Sequence, residues 1–168
     1  MPFDYEANIS AITNAFTGTS SYNTTTANPD LSSGLTTRVR NVYRTDPSIV
    51  DMRAHIYPAI FVRVNGKKEE FAGLGATGPT QARKLAVVHY DVIGFYMKDG
   101  ASSSQQNVML ELERLAENME GVLQAEYTLS GTAMWCQPVS TDFYGPFQTG
   151  QMWIKAVVMD VEAHYHFR

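Results

Sequence analysis

Asp160, Glu162, His164 and His166 fall at every second position near the end of the chain. In an extended strand all four share one face, with neighbouring side chains about 7 Å apart. Adjacent pairs at that spacing can chelate, but four in a row cannot reach one ion. The pattern therefore reads as a solvated strand end, or an acidic face turned to a channel or another subunit. Histidines titrate near pH ~6.5, so such a face would respond weakly to pH. Cys136 is the only cysteine, which excludes an internal disulfide and a multi-cysteine zinc site. No signature of a thiol nucleophile surrounds it, and Trp135 beside it points to packing. Residues 73–78 (GLGATG) have the glycines of a phosphate loop but not its Gly-Lys-Ser/Thr ending, and read as a flexible loop. Arg38, Arg40, Arg44 and Arg53 form a modest basic cluster, read as a solvated or inter-subunit surface. Tyr90, Tyr96, Trp153 and Tyr165 read as core or interface residues. No catalytic, cofactor-binding or metal-ligating residues are expected, and the chain is not expected to be an enzyme. The rival readings are a small enzyme built on Cys136 or the 160–166 cluster, and a small-ligand binding module.

Several elements must position these side chains. Tyr5, Ile9, Ile12 and Phe16 make one helical stripe over 5–16, with Gly18 as its stop. Eleven of the 21 residues from 17 to 37 are Ser or Thr and Asp30 is the sole charge, so this segment reads as a loop or an arm that orders against a neighbouring subunit. Val39, Val42 and Tyr43 begin a structured stretch, and Asp46-Pro47 marks a turn. Residues 57–64 form a strand ending at Asn65-Gly66, a hairpin dipeptide, with Lys67 to Phe71 as the return strand. Leu85 to Met97 is a long strand whose Ala86, Val88, Tyr90, Val92, Gly94 and Tyr96 face meets the core. Lys98-Asp99-Gly100 is a turn, and Ser102 and Ser103 carry capping-box spacing. Val108, Leu112, Leu115 and Met119 then define a helix over 104–120 that stops at Gly121. Tyr127 to Trp135 reads as a strand interrupted at Ser130-Gly131, and Gln137 to Thr149 as a loop. Gln151 to Phe167 alternates throughout as one long strand. The order predicts an α+β fold, mostly antiparallel, with long strands flanked by two main helices.

The chain's 168 residues suit one domain over 1–168. Apolar residues at 44% are enough to build a core, which excludes disorder throughout. Charged residues are only 18%, against roughly 25% in an average domain, as expected of a surface covered by other copies. The net charge of -4 argues against a protein that grips nucleic acid. The first residues lack the basic and apolar regions of a signal peptide, and no apolar run suffices to cross a bilayer, so a soluble protein made inside the cell is expected. A monomer of this size is about 40 Å across, whereas a 151–167 strand would be about 56 Å long. Such a strand is expected to project past its own domain and to take sister chains as hydrogen-bond partners, most economically in a closed ring.

The helix at 5–16, the Tyr57-Pro58-Ala59-Ile60-Phe61-Val62 strand, the long strand at 84–98, the helix at 104–120 and the 151–167 strand with its DVEAHYHF finish follow one another in an order that resembles the tail-terminator (tail-completion) proteins of long-tailed bacteriophages. The resemblance is architectural and covers most of the chain. Segments 17–37 and 122–149 depart from it. It implies a hexameric ring that caps the finished tail tube, ends its polymerisation and docks to the head. It also implies a virion protein of the tail or neck, assembled in the host cytoplasm, without enzymatic activity or cofactor. The implied partners are further copies of the chain, the tail tube protein and a neck or head-completion protein. No membrane is involved, and DNA passes through without specific binding. Six copies at -4 each give -24 per ring, which would repel DNA. The alternative role is a neck or head-closure adaptor of the head–tail connector. In this frame Gly66, Lys67, Lys68, Phe71 and Leu74, at the hairpin tip and the loop after it, are expected to contact the axial partner. Asp160, Glu162, His164 and His166 are expected to line the lumen or a subunit interface.

Overall fold

Two-residue alternation in β-branched and aromatic segments builds a sheet, and two stripes of helical period cover one of its faces. The computed structural model describes residues 3–17, 27–44, 57–71, 84–99, 105–149 and 152–167. Along the chain come α1 (Tyr5–Thr17), a 3-10 turn (Pro29–Ser32), β1 (Asn41–Tyr43), β2 (Ala59–Phe71), β3 (Lys84–Asp99), α2 (Gln105–Ala125), β4 (Trp135–Thr149) and β5 (Met152–Phe167). The strands form one five-stranded sheet in the order β1-β2-β3-β5-β4. β1 runs parallel to β2, and every other neighbouring pair is antiparallel. The fold is α+β, as the residue pattern predicts.

The core lies between the helices and one sheet face. Val108, Leu112, Leu115, Met119 and Val122 of α2 and Ile12 and Phe16 of α1 are buried against Ile60, Val62, Val88, Tyr90, Val92, Val157, Met159, Val161 and Tyr165. The tightest approach is at Gly94 on β3. A Cβ there would sit 2.9 Å from Val157 Cγ1, 3.0 Å from Leu115 Cδ2 and 3.0 Å from Met119 Sδ. The missing side chain lets α2 settle onto β3 and β5 at van der Waals distance.

Several expectations need correction. Asn65-Gly66 is not a hairpin turn. Neither residue has a positive φ, and β2 continues to Phe71 through a bulge between Val64 and Gly66. A type I′ turn requires positive φ at both central residues, and the long neighbouring β3 offers a ladder to pair with instead. The helix does not stop at Gly121. It runs to Ala125, because Val122 and Leu123 extend the buried stripe and their burial outweighs the roughly 1 kcal/mol propensity cost of one glycine. Residues 126–134 form turns rather than a strand, with Leu129, Ser130 and Gly131 at φ of 48°, 57° and 82°. β3 continues through Lys98 and Asp99, where a turn was expected.

Part of the Ser/Thr-rich segment is also not an arm. Ala27 and Leu31 are buried, and α2 holds the chain that follows. Asn118 Nδ2 donates to the carbonyls of Leu31 and Ser33, and Glu111 accepts from both the amide and the hydroxyl of Thr36. These bonds compensate the segment's small apolar area. Residues 18–26, the 45–56 stretch with Asp46-Pro47 and Arg53, the 72–83 stretch with Leu74, and Gly100, Ser102 and Ser103 lie outside the described residues.

Replacing Gly94 with alanine should force Leu115, Met119 and Val157 apart and lower unfolding stability by about 1–3 kcal/mol, read as a lower urea midpoint. An unchanged midpoint would contradict the close seating of α2.

Candidate functional site

The 152–167 strand exists as expected, but its position overturns the argument for a projecting strand. β5 lies inside the sheet. It pairs with β3 from Met152↔Asp99 to Phe167↔Lys84, and with β4 from Met152↔Thr149 to His164↔Trp135. A 16-residue strand can stay inside one molecule because the 16-residue β3 and 15-residue β4 run beside it. Among the described residues, the outer side of β4, the last strand in the order, has no strand beside it.

β4 was expected to be a loop because of Pro138, Gly145 and Pro146. Proline lacks an N–H and is tolerated on edge strands and at bulges, and both prolines take such places. Register shifts lie between Pro138 and Ser140 and between Tyr144 and Phe147. Gly145 has φ +99°, and a Cβ there would sit 3.0 Å from the Ile154 carbonyl oxygen, so the second bulge requires glycine. Between the bulges, Ser140 to Tyr144 form an uninterrupted extended window. Val139, Phe143, Tyr144 and Phe147 are each about half exposed, at 53%, 46%, 49% and 54%. Asp142 is the only charged residue in β4.

The other side of the sheet differs. β1 covers β2 only at Ala59–Phe61. Farther along, β2 presents Lys67, Lys68, Glu69 and Glu70, joined in the ion pairs Lys67–Glu69 and Lys68–Glu70. Charges at a sheet edge oppose the addition of another strand. β2 has this protection and β4 does not.

On the sheet face turned away from the helices, three strands assemble a polar patch. β5 supplies Asp160, Glu162 and His164. β3 supplies His89 and Asp91, opposite Glu162 and Asp160 in register, and β2 supplies Arg63, opposite Asp91. His89 Nδ1 lies 3.3 Å from Asp160 Oδ1, and His164 Nε2 lies 2.7 Å from Glu162 Oε1. Arg63 donates to Asp91 Oδ2 from Nε at 2.8 Å and lies 2.7 Å from it through Nη2. Asn65, the bulged residue, donates to Asp91 Oδ1 at 2.9 Å. The Trp135 ring stacks on His164 with centroids 3.9 Å apart. The alternation in β5 anticipated three of these residues. His89, Asp91 and Arg63 escaped notice because their proximity depends on strand register. His166 is exposed at the strand's end. Among the described residues, no three His, Cys, Asp or Glu side chains converge as metal ligands would.

The expected axial contacts are not at a hairpin tip. Gly66, Lys67 and Lys68 lie within β2, and Phe71 closes its ladder opposite Lys84. Lys67 Nζ rests 4.8 Å from the Phe3 ring centroid and 4.9 Å from that of Tyr5, toward the helix side. Arg38, Arg40 and Arg44 are exposed beside β1. An open cleft of about 310 Å³ between α1 and the turns after α2 is lined by Ser10, Asn14, Asn28, Leu129 and a single ionisable side chain, Glu126. Cys136 is buried, and burial pushes its thiol up to about 12, which suits packing rather than nucleophilic attack. Tyr90 and Tyr165 share a buried hydroxyl–hydroxyl hydrogen bond of 2.9 Å. Burial pushes Tyr90 up to about 12 and raises Tyr165 further. No described helix is long and apolar enough to cross a membrane. Compared with protein-family models and with curated proteins, the chain matches none.

The buried thiol and phenols make stability depend on alkaline pH. Their ordinary values are 9.0 and 10.0, and in the folded chain those of Cys136 and Tyr90 lie near 12. Between these limits the folded state holds more protons than the unfolded state. The stabilisation is complete below pH ~9 and declines as pH rises toward ~12. The urea midpoint should fall from pH 9 to 11, and the Cys136→Ala variant should delay the onset of the fall. A midpoint constant over that range would contradict the burial of these groups.

Proposed function

We propose that this chain is the subunit of a ring that caps the tail tube of a long-tailed bacteriophage, ends tube polymerisation and provides a docking face for the neck. The observation that carries this reading is the β4 edge, whose bulge-free Ser140–Tyr144 window carries one charge, Asp142, and half-exposed Phe143 and Tyr144, with half-exposed Val139 and Phe147 beside it. Natural sheets guard such edges with charges, prolines and bulges, and β4 carries prolines and bulges only on either side of this window. The element order and the two-layer α+β fold support the same reading. The pairing that the sequence assigned to β5 is thereby transferred to β4, and its sister chains remain part of the proposal.

The reading is structural rather than enzymatic. The one thiol is buried with its pKa raised, and the carboxylates of the polar patch are engaged by arginine, asparagine and histidine. That patch, on the face away from the helices, is the proposed lining of a lumen or of a subunit contact. Its three carboxylates and one guanidinium leave it net acidic when its imidazoles are neutral, which disfavours DNA adhesion to such a lining. In this proposal the chain resides in the virion, at the junction of tail and neck.

The reading is tested by coexpressing the chain with the tube protein of its own virus and imaging by electron microscopy. Tubes should end in a discrete ring and stop growing, whereas tubes made without the chain should continue. Bare tube ends and undiminished growth in the presence of the chain would contradict the proposal.

A further inference from the structure

The sheet ends in two flanks of opposite chemistry. On the β1 flank, the chain from Leu31 to Arg44 carries three arginines and no carboxylate. Arg38 and Arg40 are exposed on either side of Val39, which is buried and whose backbone N–H donates a hydrogen bond to Ser32 Oγ at 2.9 Å, holding the segment in place. On the β4 flank the single charge is Asp142, exposed and followed directly by exposed Phe143 and Tyr144. A guanidinium group suits such a surface, because its planar fork matches a carboxylate and its face stacks on aromatic rings.

We propose that copies of this chain join head to tail, with the Arg38/Arg40 flank of one copy seated against Asp142, Phe143 and Tyr144 of the next. The inference rests on the ring reading above and specifies its seam. β1, with the segment that leads into it from Arg38, provides the strand that the Ser140–Tyr144 window needs. Each copy presents one basic flank and one β4 flank at opposite ends of the sheet order. The contact is therefore heterologous, the type that builds a ring when its rotation closes. A two-fold pairing of β4 with β4 would instead leave both arginines unused. The paired charges at 67–70 on β2 direct the incoming edge away from that strand and toward the β1 segment.

The test measures the mass of the full-length chain in solution, by light scattering and native mass spectrometry, over a range of concentration and salt. The wild type should form an oligomer that weakens as salt rises. Asp142→Arg and the pair Arg38→Asp with Arg40→Asp should each weaken association at least about tenfold. Circular dichroism should remain that of the wild type, since all three positions are exposed. Mixing these two variants should restore assembly as an oligomer in which they alternate, because one seam between them keeps the wild-type charges and the other carries them exchanged. Combining all three changes in one chain exchanges the charges across every seam and should restore the wild-type oligomer. If the wild type assembles but the arginine pair has no effect, or if salt leaves assembly unchanged, this seam is wrong and the ring reading survives. A combined variant that stays dissociated while both parents are folded also overturns the seam. A wild type that is monomeric under all conditions overturns both. Should the charge reversals unfold the chain, Arg38→Gln with Arg40→Gln and the salt titration of the wild type decide the question.

Discussion

Backbone amides and carbonyls must find hydrogen-bond partners, and four strands of 13 to 16 residues concentrate that demand in one sheet. Each strand can pass its unpaired side to the next, but the outermost strand cannot. β5 satisfies its backbone against β3 and β4, and β3 against β2 and β5, so among the described residues the unmet demand reaches β4 at one end of the sheet and β1 and the uncovered length of β2 at the other. The bulges around Pro138 and Gly145–Pro146 confine it to a short extended window rather than abolishing it. This constraint links the fold to the proposed assembly.

The helix-covered face and the opposite face divide the remaining work. Gly94 brings α2 against β3 and β5, and burial of the α2 stripe carries the helix through Gly121. Glu111 and Asn118 on α2 then bind the polar 27–37 segment, which leads to β1 and sets Arg38 and Arg40 at the flank. The position of the basic flank is thus a consequence of helix packing. The other face carries charge near the middle of the sheet, where Arg63, His89, Asp91, Asp160, Glu162 and His164 engage one another across three strands.

Much of this architecture was legible in the residues, and the exceptions have physical causes. Strict alternation revealed β3 and β5 along with their core faces, because a sheet buried on one side enforces period two. The stripes from Tyr5 to Phe16 and from Val108 to Met119 revealed both helices. β4 was hidden because prolines and glycine usually mark loops, and only its place at the edge makes them compatible with a strand. Asn65-Gly66 misled because the same dipeptide serves a tight turn or a bulge, and the partner strand's length decides between them. The partners of Asp160 and Glu162 could not be read, since register joins residues roughly seventy positions apart. The length argument put an unpaired edge on the 151–167 strand and was wrong, because it could not see that strands of similar length lie on both sides of it.

The most direct measurement is hydrogen–deuterium exchange across β4 and β5 in the dilute chain and in the proposed assembly. If another chain completes the β4 edge, the outward-pointing amides within 140–144 exchange readily when the chain is dilute and become protected on assembly, while their neighbours bonded to β5 and the β5 amides are protected in both. Equal protection of the outward-pointing 140–144 amides in the two states, or their continued rapid exchange in the assembly, would contradict the account.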